Sequence, residues 1–120
     1  MALEIAKELA AHVEKYFGDT ENSMKVYADD CKALRPGGPM VVGKPAMIEV
    51  WNKEKVKYEG MKFQLQVDEA LDAGDYIISR HSAKGIIDGN VAMEFKGLDV
   101  IKKGATPLIV MTCINADATY

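Results

Sequence analysis

The segment YADDCKALRPGGPMVVGKPAMIEVW, which runs from Tyr27 to Trp51, carries the turn and helix-start signals on which the fold prediction depends. It predicts the end of a helix, a short strand over Cys31–Leu34 and a tight turn over residues 36–39. The two glycines of that turn lie between two prolines, and glycine adopts positive φ without steric cost. Pro45 then opens a helix that carries Trp51, because proline suits the first helical turn.

Helical periodicity dominates the first half of the chain. Apolar side chains recur at helical spacing in three segments, which predicts helices over residues 2–17, 21–28 and 45–58. Gly18 ends the first of these, as glycine commonly does just past a helix. The third helix has one apolar stripe that includes Met47 and Trp51.

After Gly60 the period of the apolar residues changes from that of a helix to the two-residue period of a strand. Four strands are predicted over residues 61–68, 76–86, 91–102 and 108–115. Helices grouped first and strands grouped last predict an α+β fold, with the helices packed on one face of an antiparallel sheet. The strands carry apolar residues on both faces, and the helices can bury only one of these faces. The sequence therefore predicts a homodimer through the outer face.

Composition limits the classes of function. The chain has 120 residues, 48% of them hydrophobic, which predicts one domain over residues 1–120. A formal net charge of −3 argues against a nucleic-acid-binding surface. No apolar run is long enough to span a membrane, and the first residues lack a signal-peptide pattern, so a cytoplasmic protein is expected. Cys31 and Cys113 are then expected as free thiols.

Several motifs together resemble the nuclear-transport-factor-2-like superfamily, in its SnoaL-like branch of domains of unknown function. The motifs are Gly18-Asp19, Tyr27-Ala28-Asp29-Asp30, residues 36–39, Val42-Gly43-Lys44-Pro45-Ala46, Trp51, Gly74-Asp75 and residues 109–115. The resemblance implies a cystatin-like cone. In this fold a strongly curved antiparallel sheet packs on N-terminal helices, about three in number, and the cone has a pocket at its open end. The resemblance also implies a homodimer through the outer sheet face. Family activities range from isomerases and dehydratases to binding and assembly modules.

The pocket of such a cone is expected to be mostly apolar. The predicted lining residues are Trp51, Met47, Phe63, Leu65, Met93 and Phe95. Ionisable or polar groups that could act on a bound molecule are few: the candidates are Arg80, His81, Asp99 and Tyr27. His81 or Asp99 could be a base, with Arg80 or Tyr27 polarising an oxygen. Adjacent strand residues point to opposite faces, so at most one of Arg80 and His81 lines the pocket.

These residues favour a homodimeric domain that binds a small apolar molecule in its pocket. One alternative is an enzyme of the isomerase or dehydratase type that acts on a small hydrophobic substrate, and another is a dimerisation module without a ligand. No metal and no cofactor are expected. His12 and His81 lack ligand partners at metal-binding spacing, and no glycine-rich phosphate loop is present.

Overall fold

The computed structural model describes residues 1–35 and 38–115. Its helices are α1 (Ala2–Lys15), α2 (Thr20–Ser23) and α3 (Lys44–Glu54), with short 3-10 helices at Met24–Val26 and Lys55–Tyr58. Its strands are β1 (Tyr27–Leu34), β2 (Val41–Val42), β3 (Lys62–Ala73), β4 (Tyr76–Ile87), β5 (Asn90–Lys102) and β6 (Leu108–Asn115). The predicted α+β class, with helices first and long strands last, is confirmed.

All six described strands form one sheet in the order β2-β1-β6-β5-β4-β3. Strands β3 to β6 are the predicted antiparallel meander. The sheet is mixed rather than purely antiparallel, because β1 pairs with β6 in parallel. The long connection between them, which contains α3, makes this parallel pairing possible.

Several element boundaries differ from the prediction, and the largest difference is at β3, which is predicted to end at residue 68 but extends to Ala73. The predicted second helix runs to residue 28, whereas the helical turn ends at Val26 and β1 begins at Tyr27. Tyr27 pairs with Ile109 of β6, and this long-range pairing extends the strand beyond what local periodicity indicates. The third helix also changes to 3-10 geometry after Glu54. The predicted turn at residues 36–39 lies partly outside the described residues.

Gly43 determines where α3 begins. Its φ is +92°, a conformation that L side chains rarely adopt, and it precedes Lys44 and Pro45 in the first turn. Its N–H donates to the carbonyl of Cys31 at 2.8 Å, which ties the helix start to β1. The helix therefore leaves the sheet in one fixed direction and crosses the concave face.

Residues along each long strand alternate between a concave face, which the helices cover, and a convex face. At one end of the concave face Ile77, Ile101 and Ile109 are adjacent in register and fully buried. Leu9 of α1 and Met47 of α3 belong to the same core cluster. This isoleucine end is filled with side chains, so any cavity must lie further along the strands.

Helix α1 also covers the edge of the sheet. Strand β3 is an edge strand, and the backbone N–H of Leu65 donates to the carboxylate of Glu14 at 2.8 Å. Unpaired N–H groups on an edge strand invite pairing with other chains, and this contact satisfies one of them. The same contact holds the C-terminal half of α1 over the first long strand.

Candidate functional site

A cavity of about 320 Å³ lies between the concave sheet face and helices α1 and α3. Its walls are mostly apolar, and five aromatic rings gather at one end: Phe17, Trp51, Tyr58, Phe63 and Phe95. Lys57 also lines this aromatic end and is exposed, so the cavity reaches solvent there. The opposite end is closed by the buried isoleucines.

The aromatic rings contact one another in a continuous cluster. Phe17 stacks on Phe63 with ring centroids 3.6 Å apart, and it meets Trp51 edge-on at 5.4 Å. Tyr58 lies 5.9 Å from Trp51, and Phe95 lies 5.6 Å from Phe63. Offset and edge-on aromatic pairs stabilise such clusters beyond their apolar burial. The five rings together form an apolar wall at the solvent-facing end of the cavity.

A band of polar side chains crosses the concave face between the aromatic end and the isoleucine end. Asp99 of β5 pairs in register with Ser79 of β4 and with Thr112 of β6, and all three line the cavity. His81 lies two residues from Ser79 on the same strand and also lines the cavity. Asp99 and Phe95 are four residues apart on β5, about 13 Å at the rise of a strand.

Asp99 is the centre of this polar band. Its Oδ2 lies 3.8 Å from Nδ1 of His81, which is too long for a hydrogen bond but close enough for electrostatic attraction. Its Oδ1 is buried and has no hydrogen-bond partner among the described residues. Burial raises the pKa of Asp99, while His81 and the Thr112 hydroxyl oppose that rise. An unpaired, desolvated carboxyl oxygen can bind a polar group that enters the cavity.

Two neighbours of Asp99 also have shifted pKa values. Burial raises the pKa of Tyr27, and the negative charge of Asp99 adds to the rise. Burial raises the pKa of the Cys31 thiol to about 12, again with a contribution from Asp99. Both groups therefore stay neutral at physiological pH. Neither the phenol nor the thiol supplies a charge to the cavity.

Gly97 makes room for the imidazole. It is the register partner of His81, and a Cβ at this position would lie 2.6 Å from Nε2 of His81 and 2.8 Å from the carbonyl oxygen of Cys113. Such distances are well inside van der Waals contact, so any side chain here would displace the ring. Glycine at this position therefore leaves the space in which the His81 ring lies near Asp99.

The structure places most of the predicted site residues at the cavity. Among the predicted wall residues, Trp51, Met47, Phe63, Leu65 and Phe95 line it. Met93 does not: it packs over Gly85, beyond the end of the cavity.

Of the four candidates for chemistry, His81, Asp99 and Tyr27 line the cavity and Arg80 does not. Arg80 is an exposed residue of the convex face, where it forms ion pairs with Glu69 at 3.6 Å and Asp68 at 3.9 Å. The physical reason is the two-residue period of β4, which turns Arg80 away from the side that His81 occupies. The proposed role of Arg80 in polarising a substrate oxygen is therefore corrected.

The lining residues that sequence reasoning missed include Phe17, Arg35, Ser79 and Thr112. The sequence did carry a signal for Ser79, because Ser79 and His81 are two residues apart on a predicted strand and therefore lie on the same face. Thr112 is a polar residue in an otherwise apolar strand, which also marks it. Phe17 lies beside the apolar side of the first predicted helix, which is also a signal. Arg35 carried none, since it follows β1 and only the tertiary structure sets the direction of the chain there.

In the part of the chain that the structure describes, no three His, Cys, Asp or Glu side chains are grouped so that they could hold a metal ion. A search of the same residues finds no helix with the length and apolar character needed to cross a membrane.

The fold is shared with many solved structures. A ketosteroid isomerase-like protein from Erwinia carotovora atroseptica superposes with a TM-score of 0.80 and 19% identity, over 99% of this chain and 98% of that chain. A cystatin-like protein of unknown function from Nostoc punctiforme gives 0.82 and 18%, over 94% and 89%. A nuclear-transport-factor-2-like protein of unknown function from Shewanella oneidensis gives 0.77 and 13%, over 96% and 99%.

At these identities the comparisons show the fold alone: the chain has the cystatin-like, nuclear-transport-factor-2-like fold that the sequence motifs predict. No protein-family model and no curated protein matches the sequence. The residues of the cavity must therefore carry the functional argument.

The raised pKa of Asp99 predicts how stability depends on pH. A carboxyl with a raised pKa binds more protons in the folded state, so folding stability falls as pH rises from about 4 through the raised value. The Asp99→Asn variant has no carboxyl group at this position, so it does not lose folding stability in this way as pH rises. We expect its urea midpoint to match the wild type near pH 4 and to exceed it at pH 7.

Asp72→Asn is a control of opposite sign. Asp72 is exposed, and a hydrogen bond from Lys103 lowers its pKa, so this carboxylate stabilises the fold above pH 4 and the variant loses that contribution. Equal pH profiles for wild type and Asp99→Asn would contradict the buried position of Asp99.

Proposed function

We propose that this protein binds a small, mostly apolar molecule in the cavity of its cone and holds a polar group of that molecule against Asp99 and His81. The observation that carries the proposal is the cavity itself, with one polar band in an otherwise apolar wall. Its volume of about 320 Å³ lies at the lower end of the range usual for small-molecule sites. Burial of the apolar surface of a ligand against the aromatic rings would contribute favourable binding free energy.

The polar band would give such a ligand its orientation. The buried Oδ1 of Asp99 has no partner among the described residues, so a hydroxyl or a protonated group of the ligand could pair with it. A carbonyl could instead pair with Asp99 in its protonated form, which its raised pKa favours. The description of the Erwinia protein as ketosteroid isomerase-like suggests apolar ketones as the first class to test.

The first test is binding of benzylacetone, a small neutral aryl ketone, measured by calorimetry and by the fluorescence of the single tryptophan, Trp51. We expect saturable binding and a change in Trp51 emission, because its indole is part of the cavity wall. Ala10 lines the cavity, so Ala10→Phe fills it and should weaken binding by about tenfold or more.

Ala11→Phe is the matched control. Ala11 is the next residue of α1 and is exposed, so this variant should bind benzylacetone like the wild type. Equal affinity of the Ala10→Phe variant would contradict binding in the cone. Absence of benzylacetone binding by the wild type would exclude apolar ketones of this kind as the ligand.

A second candidate function is acid–base catalysis on the bound molecule. One observation favours it: a buried carboxyl and an imidazole lie 3.8 Å apart at the same cavity wall. Desolvation raises the pKa of Asp99 toward the range in which a carboxylate can accept a proton from carbon and return it. The neutral Tyr27 phenol could donate a hydrogen bond to the oxygen of the substrate.

Exchange of the α-protons of benzylacetone for deuterium, followed by nuclear magnetic resonance in deuterium oxide, tests this second candidate. A general base would accelerate exchange about a hundredfold or more over buffer. Asp99→Asn should abolish the acceleration, and His81→Gln should reduce it. Arg80→Gln, on the convex face, is the control and should keep the full rate. An acceleration that survives Asp99→Asn would exclude Asp99 as the base.

We also propose that two copies associate through the convex face. Ile78, Val100 and Met111 are adjacent in register on that face, and Leu98, Cys113 and Leu34 form a parallel row beside them. Leu34 and Leu98 are 41% and 37% exposed in the single chain. An apolar strip across four strands is self-complementary about a twofold axis, which favours a second copy as the partner.

Sedimentation equilibrium at micromolar concentration tests this association, and we expect twice the chain mass of 13.2 kDa. Val100→Glu places a charge in the centre of the strip and should give the monomer, because burial of an unpaired charge is costly. Gln66→Glu, on the exposed far edge of the sheet, should remain dimeric. A wild-type monomer at these concentrations would exclude the proposed dimer.

The cytoplasm remains the proposed compartment. Cys31 and Cys113 are both free thiols in the structure, and unpaired cysteines are typical of proteins kept in reducing surroundings.

A further inference from the structure

The aromatic end of the cavity contains hydrogen-bond donors without acceptors. Among the described residues, three buried side-chain polar atoms lack a partner: Nε of Arg35, Nε1 of Trp51 and Oδ1 of Asp99. All three belong to residues that line the same cavity. Two of them are N–H groups of the aromatic end, and buried donors without acceptors are costly in a folded protein. A ligand with acceptor oxygens would satisfy both.

Arg35 is held in place by one edge of its guanidinium. Nη1 of Arg35 forms an ion pair with Glu54 of α3, and both side chains are about three-quarters buried. A guanidinium has five donors in a planar fork, so the Nε side stays available for a second carboxylate. Glu54 thus fixes the position of Arg35 without using all of its donors.

Further hydrogen-bond donors and charged side chains of the aromatic end lie near Arg35. Trp51 is one helical turn before Glu54, and Tyr58 lies 5.9 Å from Trp51. Burial raises the pKa of Tyr58 and Arg35 opposes that rise, which places the guanidinium near the phenol. The charged groups that line this end are Arg35, Lys57 and Glu54, two cations against one carboxylate. The charge balance favours an anionic group.

We propose that the aromatic end of the cavity is an anion site, and that the ligand is a small carboxylic acid whose apolar body lies among the aromatic rings. The carboxylate accepts hydrogen bonds from Arg35 and Trp51, and Lys57 adds a further positive charge. This inference rests on the proposed function, because it names the class of molecule that the cavity binds.

The register of β1 fixes how far such a ligand reaches. Ala33 pairs with Thr112, which pairs with Asp99, so Ala33 marks the level of the polar band on β1. Arg35 is two residues further along the chain, about 7 Å at the rise of a strand. Strand β5 lies two strands from β1, about 10 Å across the sheet, so the Cα atoms of Arg35 and Asp99 are about 12 Å apart. A ligand with a second polar group therefore engages Asp99 only if it extends across two strands as well as along them.

The test compares two probes of nearly equal size by calorimetry at low ionic strength. Hydrocinnamate carries a carboxylate where benzylacetone carries a neutral methyl ketone. We expect hydrocinnamate to bind the wild-type protein at least tenfold more tightly, because charge-assisted hydrogen bonds are the stronger kind. Added salt should reduce this preference, since Lys57 is exposed to screening.

Glu54→Gln is the decisive variant, because it removes the carboxylate that competes for Arg35. It should raise the ratio of the hydrocinnamate affinity to the benzylacetone affinity about threefold. If Arg35 and Glu54 served the fold alone, this variant would weaken both probes equally or neither. The double variant Arg35→Gln with Glu54→Gln, which keeps the pair neutral and avoids an unpaired buried charge, should abolish the preference for hydrocinnamate. Arg80→Gln, which removes a cation from the convex face, should change neither affinity.

The possible failures are distinguishable. Benzylacetone binding without any preference for hydrocinnamate, in both the wild type and Glu54→Gln, would overturn the anion site while the binding function stands. A preference that persists in the double variant would also overturn it, because the anion would then bind elsewhere. Failure of both probes to bind would overturn the proposed function together with this inference.

Discussion

The contact among Ile77, Ile101 and Ile109 closes one end of the cone, and the geometry of the cavity depends on it. These side chains come from three neighbouring strands and are fully buried beneath α1 and α3. Each contributes about 1.5–3 kcal/mol through burial. Further along the same strands the concave residues become small or polar, as at Ser79, Ala83 and Gly97. The helices bridge this region without filling it, and the cavity results.

The polar band inside the cavity opposes stability. Asp99 is desolvated, one of its oxygens has no partner among the described residues, and His81 is too distant for a direct hydrogen bond. An apolar side chain at this position would cost the fold less. Strongly desolvated ionisable groups cluster at functional sites, which supports the proposal that Asp99 and His81 hold the polar group of a ligand.

Polar side chains lie at both ends of the otherwise apolar cavity. Asp99 and its neighbours lie toward the isoleucine end, and the cationic Arg35 lies toward solvent beside the aromatic rings. A bound molecule would therefore have a defined direction. The fold itself is compatible with isomerases, binding proteins and assembly domains, so these side chains, rather than the architecture, decide among the functions.

Much of the fold could be predicted from the sequence, because the relevant signals are local. The two-residue period after Gly60 gave four strands, and alternation along β4 put Arg80 and His81 on opposite faces. The run from Gly43 to Trp51 gave the start of α3. Five of the six predicted wall residues lie at the cavity for the same reason, since periodicity identifies the face that an element buries.

Only the tertiary structure decided which of these faces meet. It extended β1 back to Tyr27 through pairing with β6, placed Thr112 beside Asp99, and brought Arg35 to Glu54 across 19 positions of sequence. Strand register and the direction of a chain after its last strand residue depend on contacts between distant segments, which local periodicity does not encode. The sequence by itself therefore determined the elements and their buried faces. The tertiary structure determined the cavity, the shifted pKa of Asp99 and the unpaired donors, because desolvation exists only once those faces have packed together.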